Sequence, residues 1–100
     1  MMKNPDRKRV PRLDELPNIG PSIAAGLASI GITHPRELIG RDPLDLYRQI
    51  GAKRGCRQDP CLLDVLMAAV RFMEGGDSLP WWTFTEERKR LLKEKADPLP

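Results

Sequence analysis

The sequence has no long hydrophobic run. None of its apolar stretches approaches the roughly 20 residues that a membrane-spanning helix needs. The N-terminus, MMKNPDRKRVPR, also lacks the apolar segment of a secretory signal peptide. We therefore expect a cytoplasmic protein without a membrane partner.

Histidine and cysteine are scarce. The chain has one histidine, His34, and two cysteines, Cys56 and Cys61, whose C-x4-C spacing matches no common zinc pattern. A disulfide is possible in principle, but we expect two free thiols. Cys61 near a helix start could have a lowered pKa only if it were exposed. No triad, dyad or metal set is visible, so we expect no enzymatic activity, cofactor, metal or small-molecule substrate.

Strand patterns are also missing, because no segment alternates apolar and polar residues convincingly. Hydrophobic residues make up 40% and charged residues 31% of 100 positions, which is enough for one small globular domain. We therefore predict an all-α fold, a compact bundle of about five helices. The predicted division is a basic flexible arm (1–12), a domain (13–84) with a core helix (60–74), and a charged C-terminal helix and tail (85–100).

Ten prolines and eight glycines punctuate the chain, so helices can be predicted from their ends. Asp-Pro pairs at 42–43 and 59–60 indicate capped helix starts. Gly31, Gly51 and Gly75 indicate helix ends, and AKRGCRQ after Gly51 is predicted to be a loop. The predicted helices cover residues 12–16, 21–30, 33–40, 42–51, 60–74 and 85–95. The segment 60–74 is apolar on almost all sides, which is typical of the buried centre of a bundle.

The aromatic residues allow two interpretations. Trp81 and Trp82 could stack on unpaired bases, as aromatic residues do in single-strand binders. We favour the interpretation in which one tryptophan closes the core over the central helix while the other is partly exposed. Tyr47 is predicted at the edge of the core with its hydroxyl in water.

Positive charge lies in two patches. Residues 1–12 carry a net charge of +4, and residues 48–57 carry another +4 with no acidic residue. Such runs are often only solvated, but patches on one face would attract nucleic-acid phosphates. Their basic residues are Lys3, Arg7, Lys8, Arg9, Arg12, Arg48, Lys53, Arg54 and Arg57.

The stretch LPNIGPSIAAGL predicts a short helix, a tight turn over residues 17–20 and a second helix starting at Pro21. Asn18 tolerates the positive φ of such a turn, Ile19 would plug it into the core, and Gly20 would allow close approach of a ligand. The amides of Gly20, Ser22 and Ile23 would point outward at a helix N-terminus, where anions bind. The stretch resembles the helix-hairpin-helix motif of DNA repair and recombination proteins.

This stretch departs from that motif in two ways. Asn18 replaces the first glycine, and Pro21-Ser22 stands where a basic residue is frequent. In addition, the acidic Asp14 and Glu15 lie one short helix away and would repel phosphate. A weaker second copy is predicted with helices at 35–39 and 43–50 and the hairpin Gly40-Arg41-Asp42. The resemblance thus implies a SAM-like domain with one or two helix-hairpin-helix units.

The ordered combination of this hairpin, DPLDLYRQIG, the DPC-containing helix and LPWWTFTEERK resembles the bacterial Cdd1, or pathogenicity-locus, family over residues 13–89. Some of its members are labelled mitomycin-resistance proteins. The resemblance implies non-catalytic, sequence-independent DNA binding, in DNA repair or damage resistance. The alternative is a protein-protein interaction module with no nucleic-acid contact. The predicted DNA-binding residues are Asn18, Ile19, Gly20, Ser22, Ile23, Arg7, Lys8, Arg9, Arg12, Lys53 and Arg54.

Overall fold

The structure, a computed structural model, describes residues 4–94, which form helices and turns but no strand. The α-helices are α1 (Pro21–Ser29), α2 (Pro43–Arg54), α3 (Pro60–Met73) and α4 (Thr85–Glu94). Three 3-10 helices cover Leu13–Glu15, Pro35–Leu38 and Trp81–Phe84. The all-α class is confirmed, whereas a count of about five helices is not.

Some predictions fall outside residues 4–94. They are the basic residue Lys3 of the predicted arm, Lys95 of the terminal helix, and the tail after it. Within the described part of the chain, no helix combines the length and apolarity needed to cross a membrane.

The Asp-Pro helix starts are confirmed. The Asp42 carboxylate accepts a hydrogen bond of 3.0 Å from the Leu44 amide, and the Asp59 carboxylate accepts one of 2.9 Å from the Cys61 amide. Each aspartate satisfies an amide that has no acceptor within its own helix. Local sequence thus determines where α2 and α3 begin.

The predicted end of α2 at Gly51 is wrong. The helix continues to Arg54, and Gly55 is the residue with left-handed backbone, at φ 73°. A glycine inside a helix costs only about 1 kcal/mol relative to alanine, so it need not end the helix. The first residues of the predicted AKRGCRQ loop are therefore helical.

Helix α3 forms the centre of the hydrophobic core, as predicted. Its buried side chains pack against α2, the Trp81–Phe84 helix and α4. Val10 is also buried in this core, at 5% exposure. Residues before position 13 therefore contribute to packing, and the predicted division into arm, domain and tail stays a prediction.

One charged residue, Asp64, is fully buried in α3. Its carboxylate accepts hydrogen bonds of 2.7 Å from the Thr85 hydroxyl and from Nε of Arg88. These bonds fasten the first turns of α4 onto the core helix. The apolar composition around Asp64 concealed this anchor from sequence reasoning, because its partners lie more than 20 residues away.

Candidate functional site

The hairpin over residues 17–20 has the conformation that its sequence predicts. Asn18 adopts φ 68° and is the only non-glycine residue with positive φ among residues 4–94. Ile19 is buried at 1% exposure, and its amide donates to the Leu16 carbonyl at 3.2 Å. Ile19 therefore serves as the predicted plug and presents no side chain to a ligand.

The Asn18 side chain explains why asparagine replaces glycine in this turn. Its Nδ2 donates to the Leu79 carbonyl at 2.8 Å, and its Oδ1 accepts from the Trp81 amide at 3.1 Å. Glycine would permit the backbone conformation but could make neither bond. Asn18 thus joins the hairpin to the tryptophan segment, a role that we did not predict.

The N-terminus of α1 is open. Residues Pro21 and Ser22 are exposed, and a Cβ built on Gly20 would meet nothing within 4 Å. In the part of the chain that the structure describes, the N-cap residue Gly20 gives α1 no side-chain cap, unlike α2 and α3 with their aspartates. The first amides of a helix have no acceptor inside it, and the helix dipole adds partial positive charge there. The amides of Ser22 and Ile23 therefore lie where an anion could accept hydrogen bonds.

Arg54 reaches this helix end from α2. Its Nη2 donates to the Ser22 carbonyl at 2.9 Å and its Nη1 to Oε1 of Gln58 at 2.9 Å. The guanidinium also lies against Gly26, where an added Cβ would be 2.7 Å from Nη2. The fold thus places one basic residue of the central patch beside the first turn of α1.

The acidic residues before the hairpin differ in their contacts. Asp14 forms a two-pronged ion pair with Arg12, with Nε and Nη2 at 3.1 and 3.0 Å from its oxygens. Glu15 is exposed. Of the two carboxylates expected to repel phosphate, one is therefore partly neutralised, and Arg12 is committed to that pairing.

A cleft of about 430 Å³ adjoins the open end of α1. Ile23, Arg54, Gln58, Cys61 and Trp81 are among its walls. Burial, and then the neighbouring Asp59, raise the pKa of the Cys61 thiol, opposite to the lowering that an exposed position would allow. Both cysteines are free, as expected.

The tryptophan prediction is confirmed and the tyrosine prediction is partly wrong. Trp81 packs against the core, whereas Trp82 is 62% exposed and meets the Trp81 ring edge-on, at 5.7 Å between centroids. Tyr47 is only 2% exposed, and its hydroxyl donates to the Gln58 carbonyl at 2.7 Å. The hydroxyl is therefore not in water, because the chain after α2 folds back over it.

The second predicted hairpin already holds a carboxylate. The Gly40 amide donates to Oε2 of Glu74 at 2.9 Å, and Gly40 has a φ of 80°. The next amide that could face a phosphate, that of Leu44, donates to Asp42. An anion could bind at Gly40 only by displacing Glu74.

Two basic residues of the N-terminal patch, Arg7 and Lys8, lie near the other end of α3. The Arg7 guanidinium stacks on the Phe72 ring at 5.0 Å and donates to the Gly76 carbonyl at 2.8 Å. Phe72 follows Leu62, a wall of the cleft, by ten residues, which is about 15 Å of helix. Nε of Arg9 lies 3.8 Å from Oδ2 of Asp6, and Lys8 is exposed. Lys53, which belongs to the central patch, is exposed near the C-terminal end of α1.

The fold and the site define a small all-helical protein in which an uncapped helix start, a tight turn and one arginine meet. No group of three or more potential metal ligands occurs within residues 4–94. Residues 6–90 match the Cdd1 family, described as "Pathogenicity locus", and the chain belongs to that family, which confirms the predicted relationship.

A curated relative is "Mitomycin resistance protein McrB" from Streptomyces lavendulae. It is 50% identical over 80 residues, which are 80% of this chain and 76% of the relative. No solved structure matches the chain.

Proposed function

We propose that this protein is a non-catalytic DNA-binding protein whose first hairpin is a helix-hairpin-helix element that contacts the phosphate backbone. The amides of Ser22 and Ile23 at the start of α1 donate to one phosphate, and Gly20 leaves room for it. Arg54 adds positive charge beside this position. Because such contacts address only the backbone, binding is independent of base sequence.

The open N-terminus of α1 is the observation that carries this proposal. The other two α-helices that start with proline have aspartate caps, whereas within residues 4–94 the N-cap of α1 makes no side-chain hydrogen bond. Gly20 occupies the N-cap position of α1 and has no side-chain acceptor, so the first amides of the helix are available to a bound anion. The name of the Streptomyces relative refers to mitomycin resistance, and we extend this to a role in DNA repair or damage resistance.

The test is a backbone-amide NMR titration of the full chain with a short mixed-sequence duplex at low and at physiological salt. We expect saturable shifts over residues 18–23 and binding that weakens steeply with salt. In a Gly20→Asp variant we expect affinity to fall about tenfold or more, which corresponds to about 1.4 kcal/mol, because the new carboxylate faces the phosphate. Gly20 has a φ of −100°, so aspartate fits there without backbone strain.

Ala28→Asp is the matched control. It adds the same charge to the exposed surface of α1, near the opposite end of the helix. Equal losses in both variants would indicate a general charge effect, and unchanged affinity in Gly20→Asp would exclude the hairpin as the contact.

The alternative function is a protein-protein interaction module. Two large hydrophobic side chains favour it, because Trp82 and Ile39 are 62% and 53% exposed. Association that does not depend on salt, together with an absence of hairpin shifts on adding DNA, would support this alternative. Sedimentation of the chain alone and with added DNA distinguishes self-association from DNA binding.

A further inference from the structure

The cleft beside the open start of α1 extends beyond the phosphate contact proposed above. Its volume of about 430 Å³ is within the range of small-molecule sites. Ile23, Leu62 and Trp81 contribute apolar walls, while Arg54, Gln58 and Asp59 contribute polar ones. An apolar wall beside polar groups suits a planar, partly polar group such as a nucleobase.

Trp81 is held in place before any ligand arrives. Its amide donates to Oδ1 of Asn18 at 3.1 Å, which fixes the backbone from which its side chain enters the cleft wall. The Trp81 side chain is only half-buried despite its contact with the core. An aromatic ring fixed at the wall of a cleft can stack on a base without first losing rotamer freedom.

Arg54 connects the cleft to the phosphate position. Its guanidinium lines the cleft and also donates to the Ser22 carbonyl in the first turn of α1. Ile23 likewise lines the cleft, and its amide belongs to that first turn. A nucleotide with its phosphate on these amides would therefore have its base within reach of the cleft.

We propose that the cleft accepts one unpaired base of a DNA strand whose phosphate lies at the start of α1. This inference rests on the proposed function and specifies its substrate class as DNA with an unpaired nucleotide, such as an overhang or a branch. A base inside a duplex is stacked and paired, so it does not enter the cleft unless it leaves the helix. The cleft thus gives a preference for structure without reading sequence.

The experiment compares the full chain binding to a blunt duplex, the same duplex with a short overhang, and the overhang duplex made abasic. We expect the overhang to bind about tenfold more tightly than the blunt duplex, because base-aromatic stacking contributes to affinity in single-strand binders. The abasic overhang should bind like the blunt duplex. Equal affinity for the overhang and its abasic form would overturn the proposal.

Two variants distinguish the role of Trp81 from that of Trp82. Trp81→Leu keeps an apolar side chain against the core but removes the stacking surface, so we expect it to lose the overhang preference and retain duplex affinity. Trp82→Leu, the matched control, should retain both. Retained duplex affinity also shows that Trp81→Leu is folded, and an overhang preference that persists in this variant would contradict the inference.

A second readout does not depend on a change at Trp81. In a Cys56→Ser background, Cys61 remains as a thiol in the cleft wall. Overhang DNA should slow alkylation of Cys61 several-fold, measured above neutral pH because its pKa is raised, whereas blunt duplex and abasic overhang should not. Equal alkylation rates with all three DNAs would overturn the inference.

The failure of this inference is distinguishable from that of the proposed function. If Gly20→Asp weakened duplex binding but an overhang did not strengthen it, only the proposed base site would be refuted. An absence of binding to every DNA would remove both.

Discussion

At the scale of single residues, Asn18 has two roles. It adopts a left-handed backbone conformation, and its side chain makes two hydrogen bonds to the tryptophan segment. In the Asn18→Gly variant, glycine can adopt the same left-handed conformation, but the two side-chain hydrogen bonds are lost. We expect the free energy of unfolding to fall by about 1–3 kcal/mol, since each bond contributes about 0.5–1.5 kcal/mol. Urea denaturation followed by tryptophan fluorescence measures this change.

Asn4→Gly provides the control for Asn18→Gly, because Asn4 is the other asparagine and is exposed. It should leave stability unchanged. If Asn18→Gly were as stable as the parent, relief of backbone strain would have outweighed the lost bonds, and the anchoring role of Asn18 would be wrong.

The buried pair of Asp64 and Arg88 is the other residue-scale feature that stabilises the fold. Arg88→Met leaves Oδ1 of a fully buried carboxylate without its cation, so we expect a loss of about 3–5 kcal/mol in urea denaturation. The double variant Asp64→Leu, Arg88→Met should recover much of that loss, because it leaves no buried charge.

Arg90→Met on the exposed surface of α4 is the control for the Arg88 variant and should change stability little. A double variant as unstable as Arg88→Met alone would show that packing of α4, rather than the unpaired carboxylate, causes the loss.

At the scale of elements, the end of α2 can be tested with two glycines of the same helix region. Gly51 lies inside α2, where an added Cβ makes only ordinary contacts, the nearest at 3.5 Å, so Gly51→Ala should raise stability by about 0.5–1 kcal/mol. Gly55 has a φ of 73°, so Gly55→Ala should lower stability by about 1–2 kcal/mol. Thermal unfolding measures the stability of both variants. If Gly51→Ala were the less stable of the two, this would favour an end of α2 at Gly51.

The 3-10 helix Pro35–Leu38 has a charged cap that makes its stability depend on pH. Hydrogen bonds from the Thr33 and His34 amides hold the pKa of Glu37 below its ordinary value of 4.5. A carboxylate whose pKa is lowered by folding stabilises the protein above its unfolded pKa, and this contribution disappears as pH falls through the folded pKa.

Glu37→Gln tests this pH dependence. We expect the variant to melt below the parent at neutral pH, and the difference in Tm to shrink as pH falls through the lowered pKa of Glu37, because the parent carboxylate then becomes protonated. Thermal melts across this pH range measure the difference. A Tm difference that did not vary with pH would show that the charge of Glu37 is irrelevant to the cap.

At the scale of the whole molecule, two of the basic residues predicted to bind DNA lie toward opposite ends of α3. Arg54 adjoins the open start of α1, while Arg7 stacks on Phe72 near the far end of α3. If phosphate binding centres on α1, Arg54→Ala should reduce the salt slope of DNA binding by up to about 0.9, the contribution of one neutralised phosphate. Fluorescence anisotropy across a salt series measures the slope.

Arg90→Ala, an exposed change on α4, removes the same charge and should leave that slope unchanged. Equal reductions in the two variants would indicate binding through overall charge, without a focus at the hairpin.

The sequence by itself determined the helical class, the family, the capped starts of α2 and α3, and the turn at Asn18. Each of these depends on interactions within a few residues, such as an Asp-Pro cap or a left-handed turn, and such interactions leave a local pattern. The end of α2 was mispredicted because Gly51 and Gly55 can each end a helix, and the chain adopts the left-handed conformation at Gly55.

Only the tertiary structure decided which distant groups meet at the site. Asn18 reaches Leu79 and Trp81, Arg54 reaches Ser22, and Glu74 accepts from the Gly40 amide, across separations of 61, 63, 32 and 34 residues. Sequence spacing does not encode such contacts, since they arise when separate helices pack on α3. The open helix start was readable from local sequence, whereas the arginine beside it and the cleft next to it required the fold.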